Sequence, residues 1–461
     1  MAAPKTASVI RRAFIADPSF QLWRGHHVAY DLAVRAALEK LGIKVIILAN
    51  RAAETSLTES GAIWKTFCRT DLGVVTARAC IKRWRHRAWL GTVFLLASPW
   101  ALAAGLARLG LGLAQKMPDG PPKSAWSRLL AWMIKHRPAR QVSWPGVCRS
   151  LIDYFEAIEA LENNDFGTGD LLFVPTVTAC TLPLWAILAG RLARKKNGGQ
   201  LTLMFRYPPD FIRATPVARF FWRKLARTAR SRAAAIRGVT DSARLAGAYR
   251  GLWPDPLIVL PIPARGTMSS RTTVGAECLK CVSLGNARAE KGLAEILGAV
   301  KLLRESGFNT AFALQVNNPD SRCSGELMEF AKEVPDGVEL FHEPLVPEDY
   351  ERLLGSADIV LLPYWPEVYA ARTSGIMTEA LTAGKIIVAT EGTWMAEELK
   401  RFKAGCELIP DRNAEALAEA IKTITLTPEP YLLKAAAAAE AARLFHNADV
   451  LARQLLNDAQ L

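Results

Sequence analysis

The sequence lacks the residue patterns that announce several large enzyme classes. Its six histidines include no His-x-x-x-His pair. The one Glu-x-x-His spacing, Glu339 to His342, falls in a strand-like run, where residues three apart face opposite sides. There is no Gly-x-Ser-x-Gly elbow, no Walker loop, no complete Gly-x-Gly-x-x-Gly and no Asp-x-Asp. A serine hydrolase of the elbow type, a P-loop NTPase and a nicotinamide enzyme are therefore disfavoured. The eight cysteines lie scattered at 68, 80, 148, 180, 278, 281, 323 and 406, with no disulfide framework, so a reducing, cytoplasmic setting is expected. Cys278-Leu-Lys-Cys281 has metal spacing but overlaps a strand-like run and has no second pair, which favours core cysteines. The start, Met1-Ala-Ala-Pro-Lys5, runs into a mixed polar stretch with no apolar signal core, so a secretory signal is not expected.

Acidic residues are scarce in one half of the chain. Up to Arg265 there are 39 Lys/Arg against 16 Asp/Glu, and beyond it 19 against 28, within a net charge of +14. The basic half is suited to an anionic partner. The helical stretch Arg219–Arg237, with Arg223, Lys224, Arg227, Arg230 and Arg232, concentrates that charge. It comes with no nucleic-acid recognition module, so no nucleic acid is expected and a membrane-facing surface is the better reading.

What is present is a packed α/β chain. Half of the 461 residues are hydrophobic, and the length suggests two domains. Strand-like runs at Ser8–Phe14, Lys44–Asn50, Asp170–Thr176, Gln200–Tyr207 and Leu257–Pro263 alternate with helical stretches Tyr30–Leu41, Leu182–Lys195 and Val217–Ala234. The second half repeats the rhythm at Leu279–Leu284, Thr310–Val316, Val338–His342, Asp358–Tyr364, Lys385–Thr390 and Cys406–Ile409. Helical patterns follow at Pro347–Ser356 and Asn413–Ile424, and the alanine-rich Tyr431–Leu461 predicts one final helix. Linker composition at Pro261–Thr273 divides residues 1–263 from a second domain over 274–428, with a C-terminal helix over 429–461. Two doubly wound domains would bind ligands at the carboxyl ends of their sheets.

One region breaks the rhythm. Residues 80–145 hold Trp84, Trp89, Trp100, Trp126, Trp132 and Trp144, and Ala88–Ala107 carries no charge. A spanning helix there would split one parallel sheet across a bilayer, and Gly91 and Pro99 weaken it further. An in-plane membrane-docking insertion is favoured over a buried hairpin.

The strongest chemical signal is Tyr364-Trp-Pro-Glu-Val-Tyr-Ala-Ala-Arg-Thr-Ser-Gly-Ile-Met-Thr-Glu-Ala-Leu-Thr-Ala-Gly-Lys385. A strand ends in a polar loop and a helix begins near Ser374, a suitable N-cap, with Gly375 allowing close ligand approach. The amides of that first turn form an anion site, Arg372 adds a forked cation, and Glu379 could accept from a ribose diol. As structure alone, the same run reads as a capped helix with a surface Arg–Glu pair. The second signal is Ser283-Leu-Gly-Asn-Ala-Arg-Ala-Glu-Lys-Gly292, where Gly285 permits a tight turn and Arg288 and Lys291 could reach a diphosphate.

Together these stretches resemble the retaining, nucleotide-sugar-dependent glycosyltransferases of the two-domain GT-B fold, notably family 4 (glycosyl transferases group 1). That family's loop reads Gly-Arg-Leu-x-x-x-Lys-Gly; here Gly285, Lys291 and Gly292 match, Asn286 stands where Arg is usual, and Arg288 can supply the charge. Of the family's two glutamates with seven residues between them, the second is Glu379 and the first falls at Ala371, with Glu367 the nearest substitute. In the first half, Asp17-Pro-Ser-Phe-Gln-Leu-Trp-Arg-Gly-His-His27 resembles the family's glycine-bearing acceptor loop, placing Gly25, His26 and His27 at the acceptor.

The resemblance implies two Rossmann-like domains facing across a cleft. It also implies transfer of a sugar from a nucleoside-diphosphate donor to a glycan or lipid-linked acceptor, with retention and without a metal or other cofactor. Arg372, Lys291, His26 and His27 would be the catalytic groups. Gly25, Gly285, Asn286, Arg288, Glu367, Thr373, Ser374, Gly375 and Glu379 would bind substrate. The expected place is the cytoplasmic face of an anionic membrane, in envelope or exopolysaccharide synthesis. A catalytically inactive GT-B scaffold and a sugar-nucleotide epimerase are the alternatives.

Overall fold

The computed structural model describes residues 10–21, 26–58, 62–68, 70, 144–195, 198–233, 235–264 and 279–456. The stretch 71–143, and with it nearly all of the apolar, tryptophan-rich insertion, lies outside them. By contact density the described residues within 1–23, 42–239 and 248–258 form one compact unit, and those within 24–41, 240–247 and 259–461 form another.

The first sheet is built from β1 (Arg12–Ala16), β2 (Lys44–Asn50), β3 (Ile63–Phe67), β4 (Asp170–Val174), β5 (Gln200–Met204), β6 (Ile236–Thr240) and β7 (Ile258–Val259), in the order β3-β2-β1-β4-β5-β6-β7. Strands β3 through β6 pair in parallel. All five residues of β4 are buried, as a near-continuous apolar run requires when helices cover both faces. At its polar end Asp170 accepts from Arg12 Nε at 2.9 Å and Nη2 at 2.7 Å, a bidentate pair that aligns β4 with β1. Phe205, Trp222, Tyr249 and Trp253 form an aromatic core beneath the far side of this sheet, with Phe205 stacked 5.0 Å from Tyr249.

The second sheet contains β8 (Lys280–Ser283), β9 (Ala311–Gln315), β10 (Val338–Phe341), β11 (Ile359–Leu362), β12 (Ile386–Thr390) and β13 (Cys406–Ile409). They lie in the order β10-β9-β8-β11-β12-β13, all parallel. Strand periodicity sorts its side chains into two cores. Cys281, Phe312, Leu314, Ile359, Leu361, Ile386 and Val388 meet the helices Leu293–Glu305 and Ala414–Leu426. Val282, Ala313, Val360, Leu362, Ile387 and Ala389 meet Pro347–Ser356, Gly375–Thr382 and Trp394–Phe402 on the other side.

Most expected elements are present, with two differences. Neither β3 nor the body of β6 is among the strand-like runs, and the helical stretch read over Arg219–Arg237 ends at Ser231, with Arg237 inside β6. β3 has the interrupted pattern Ile-Trp-Lys-Thr-Phe, with Trp64 and Lys65 exposed. The final helix is two helices, Glu429–Phe445 and Ala448–Leu456, because Asn447 Oδ1 accepts from Val450 N at 2.8 Å and starts a new helix. The Ala448–Leu456 helix packs on His26–Lys40 within the second unit. Finally, the Cys278-x-x-Cys281 pair is represented only by Cys281, which is fully buried in β8; Cys278 lies outside the described residues.

Leu361 stands in the middle of the second sheet, 1 % exposed. Leu361→Ala should reduce the unfolding free energy of this unit by about 2–5 kcal/mol in urea titrations. Leu433→Ala, at a side chain 74 % exposed, should change it by less than about 0.5 kcal/mol.

Candidate active site

The order of the second sheet decides where its chemistry can lie. Strands β8 and β11 are neighbours, with Ile359 opposite Cys281 and Val360 opposite Val282, while their connections leave in opposite directions. That is the topological switch point, and the loops beyond the two carboxyl ends must run side by side. The glycine-lysine loop and the Arg372–Gly375 loop are those two loops.

They are locked together by close backbone contact. Gly292 has φ +74°, and a Cβ there would sit 2.2 Å from the Pro363 carbonyl oxygen, so no side chain fits. Trp365 N donates to the Glu290 carbonyl at 3.0 Å, and Trp365 Nε1 to Glu295 Oε1 at 3.3 Å. At the loop's other glycine, Gly285, φ is +91°, and the space of a Cβ is taken by Lys291 Nζ at 2.5 Å and Ile376 Cδ1 at 3.0 Å. Gly285 N is fixed by donating to Gln315 Oε1 at 2.6 Å, and Asn286 Oδ1 accepts from Asn317 Nδ2 at 2.9 Å.

Three cations converge on this corner. Burial pushes the Lys291 ammonium down to about 8, and repulsion from Arg288 and Arg372 adds to the effect against a partial offset from Glu290. Lys291 Nζ lies 5.6 Å from the centre of the Tyr364 ring, and the Arg372 guanidinium 5.3 Å from that of Tyr369. The two tyrosine rings are 4.6 Å apart, so a buried aromatic floor supports both charges. Arg288 is half-exposed, 3.8 Å from Glu290.

The helix Gly375–Thr382 begins beside these cations. Ser374 Oγ accepts from Met377 N at 3.3 Å, the N-cap expected. The amides of the first turn have no intrahelical acceptor, so the cap supplies partial positive charge. Gly375 is exposed, and a Cβ there would meet nothing within 4 Å. Nothing in the protein's own packing requires a glycine at this point. One turn on, Glu379 accepts a hydrogen bond from the Tyr350 hydroxyl, and Thr373 Oγ1 donates to Asp241 Oδ2 at 2.9 Å.

Gly285, Asn286, Arg288, Lys291, Arg372, Ser374 and Gly375 thus meet around one corner, with Thr373 and Glu379 on the same loop and helix. Glu367 is exposed in the short helix Pro366–Tyr369 and is paired with Arg412, whose guanidinium lies 4.2 Å from the centre of the Trp365 ring. His27 is half-buried in the first turn of the His26–Lys40 helix; Gly25 and the side chain of His26 lie outside the described residues. The supporting groups Gln315, Asn317, Tyr350, Tyr364 and Asp241 were not identified from sequence. Gln315, Asn317, Tyr364 and Asp241 do sit at or just beyond the carboxyl ends of strands, which is the signal that could have found them.

Residues 279–426 match the family described as Glycosyl transferases group 1. The chain carries a glycosyltransferase domain. The match covers the whole second sheet and both loops of the cationic corner. Solved structures similar in fold align with nearly all of the chain, at low identity. One is Anabaena HepE in complex with UDP, at 12 % identity and a TM-score of 0.59, covering 98 % of this chain and 99 % of that one. A second is WaaG, a glycosyltransferase involved in lipopolysaccharide biosynthesis, at 11 % and 0.53, covering 96 % and 99 %. A third is an α,α-trehalose-phosphate synthase (UDP-forming) from Burkholderia xenovorans in complex with glucose-6-phosphate, at 14 % and 0.55, covering 98 % and 100 %. Curated sequences contain no relative that matches. The glycosyltransferase domain and its partner sheet are therefore the two Rossmann-like halves of a GT-B fold.

A lysine depressed from 10.5 to about 8 gives the glycosyltransferase domain a pH signature. Below pH 8 the ammonium is charged and attracts an anion; above it the free site loses that charge, and binding must take up a proton. Calorimetry with inorganic pyrophosphate should show tighter binding to the wild type than to Lys291→Gln at pH 7. That advantage should shrink as pH rises from 8 to 10; a constant advantage would mean that Lys291 does not act through its charge.

Proposed function

We propose that the protein transfers a sugar from a nucleoside-diphosphate donor to an acceptor hydroxyl, with retention of anomeric configuration. The observation that carries this reading is the meeting of Arg288, Lys291 and Arg372 with an open helix N-terminus at Gly375, inside a glycosyltransferase domain. The main barrier in such a transfer is charge building on the departing diphosphate. Fixed cations and amides that face that charge, without having to reorganise, lower the barrier.

In this scheme Arg372 and Lys291 hold the leaving diphosphate, and the amides near Ser374–Gly375 bind its oxygens. Arg288 adds charge from the exposed side, Asn286 lines the pocket beside Lys291, and Thr373 binds from the neighbouring loop. Glu379, already oriented by Tyr350, accepts from the ribose diol. Gly25, His26 and His27 serve the acceptor end, and Glu367 stands nearest the donor sugar's position in sequence. The cation set makes a bound metal unnecessary, and no cofactor enters the scheme beyond the donor. The GT-B neighbours that hold or release UDP make a uridine nucleotide the first donor to test. A glycan or lipid-linked acceptor at the cytoplasmic face of an anionic membrane, in envelope or exopolysaccharide synthesis, fits the basic first half. Among the described residues no helix is long and apolar enough to cross a membrane.

Ala371, where the family carries a glutamate, favours a second reading: a GT-B scaffold that binds the nucleotide without turning it over. A thermal-shift panel of UDP-, GDP- and ADP-sugars identifies the base, and release of free nucleoside diphosphate from the stabilising donor separates enzyme from scaffold.

The decisive variant is Gly375→Ala. With open space around the Cβ and an ordinary helical position, it should leave the melting temperature unchanged or slightly raised. Donor affinity should nevertheless fall about tenfold, because the methyl meets the phosphate. Wild-type affinity in this variant would place the diphosphate elsewhere. In steady-state assays, Glu379→Ala should raise the donor KM about tenfold, and Arg372→Ala should lower kcat by about a hundredfold.

A further inference from the structure

Between Asp210 and Asp241 the chain has eight Lys/Arg and no acidic residue. The structure folds most of this stretch into the helix Pro216–Ser231, N-capped by Thr215 Oγ1 accepting from Ala218 N at 3.2 Å. Ala218, Phe221, Trp222, Leu225, Ala226 and Ala229 face inward, and Trp222 packs 5.4 Å from Phe205. One aromatic does not join them. Phe220 is 62 % exposed, although the helix offers a buried face beside it that Phe221 and Trp222 occupy.

At 100° per residue, Phe220 falls within an exposed arc of about 140° shared with Arg219, Arg223, Lys224, Arg227 and Arg230. Among the described residues none of these five cations lies within salt-bridge distance of a carboxylate. Five like charges on one arc repel one another, and an exposed phenylalanine gains nothing in water. Both costs are offset by a single kind of partner: an anionic layer with an apolar interior directly beneath it. A nucleic-acid backbone would satisfy the cations but leave uncovered the exposed side of Phe220, whose ring meets only the edge of Phe221, 5.2 Å away.

We propose that this face docks on the surface of an anionic bilayer, with Phe220 inserted at the level of the acyl boundary and the five cations on lipid phosphates. The inference deepens the membrane-surface part of the proposed function and rests on it, while standing apart from the donor site. The Lys and Arg stems allow the charged heads to reach phosphates around an inserted ring.

The test uses the full chain and flotation with vesicles of phosphatidylglycerol in phosphatidylcholine, compared with phosphatidylcholine alone. The wild type should float with the anionic vesicles only. Arg223→Glu with Lys224→Glu should lower its partitioning about tenfold or more. Phe220→Ser should lower it severalfold and leave a residue of binding that high salt abolishes. Since all three positions are exposed, circular dichroism and pyrophosphate affinity should match the wild type, so lost flotation cannot come from unfolding. Undiminished flotation of both variants would overturn the proposal. So would variants that lose binding to duplex DNA while floating normally, which would make this a nucleic-acid surface. A wild type that floats but binds no nucleoside diphosphate would overturn the donor-site reading and still support the docking face.

Discussion

The functional corner depends on the contact between Gly292 and Pro363. Two loops from strands that are neighbours in space but 78 residues apart in the pairing of Lys280 with Asp358 must meet without a gap. A methyl group on residue 292 would lie 2.2 Å from the Pro363 carbonyl oxygen. With glycine there, the loops close, Trp365 can hydrogen-bond to Glu290, and Lys291 is brought against Gly285. Without that closure the cations of one loop would not face Arg372 and the helix start of the other. The parallel order of the sheet supplies the neighbourhood, and the glycine supplies the last ångströms.

This closure has an electrostatic consequence. Burial, with added repulsion from two guanidinium groups, lowers the Lys291 ammonium from 10.5 to about 8. A proton held that much more weakly corresponds to roughly 3 kcal/mol or less of destabilisation, once screening is allowed for. A single phosphate charge at contact distance is worth about 4 kcal/mol at an effective dielectric of 20. The attraction is of the same order as the cost of keeping the buried lysine charged in the empty corner, so a diphosphate bound there favours the charged form. A preassembled cation set of this kind binds a leaving group more strongly as its charge grows, which is what catalysis of group transfer needs.

Much of this was legible in the sequence because the chemistry resides in the residues themselves. Gly285, Lys291, Gly292, Ser374 and Gly375 have backbone or charge properties that few other residues share, and their spacing after strand-like runs gave them a place. The sheet strands β11 and β12 were equally plain as short, continuous apolar runs. What could not be read depends on contacts across long separations. Tyr350 reaches Glu379 from a different helix, Asp241 holds Thr373 from 132 residues away, and Glu367 is engaged by Arg412. None of these partners has a local signature. The final helix was read as one because alanine favours helix throughout, and the competing cap from Asn447 adds only a local hydrogen bond to outweigh that propensity.

The same distinction explains where this chain departs from the family pattern. Under the proposed function, the nucleotide half of the site would rest on glycines at positive φ, a helix start and a strand order, features set by the backbone. The sugar half is expected from side chains alone, such as the glutamate whose place is taken by Ala371. A side chain can be exchanged, with its hydrogen bonds redistributed, without disturbing the loop that carries it; a glycine packed against a carbonyl cannot. Divergence should therefore accumulate at the sugar while the diphosphate corner stays fixed. Under the proposed function, Ala371 beside an intact Gly285–Lys291–Gly292 and Ser374–Gly375 frame fits an altered sugar preference better than a lost nucleotide site.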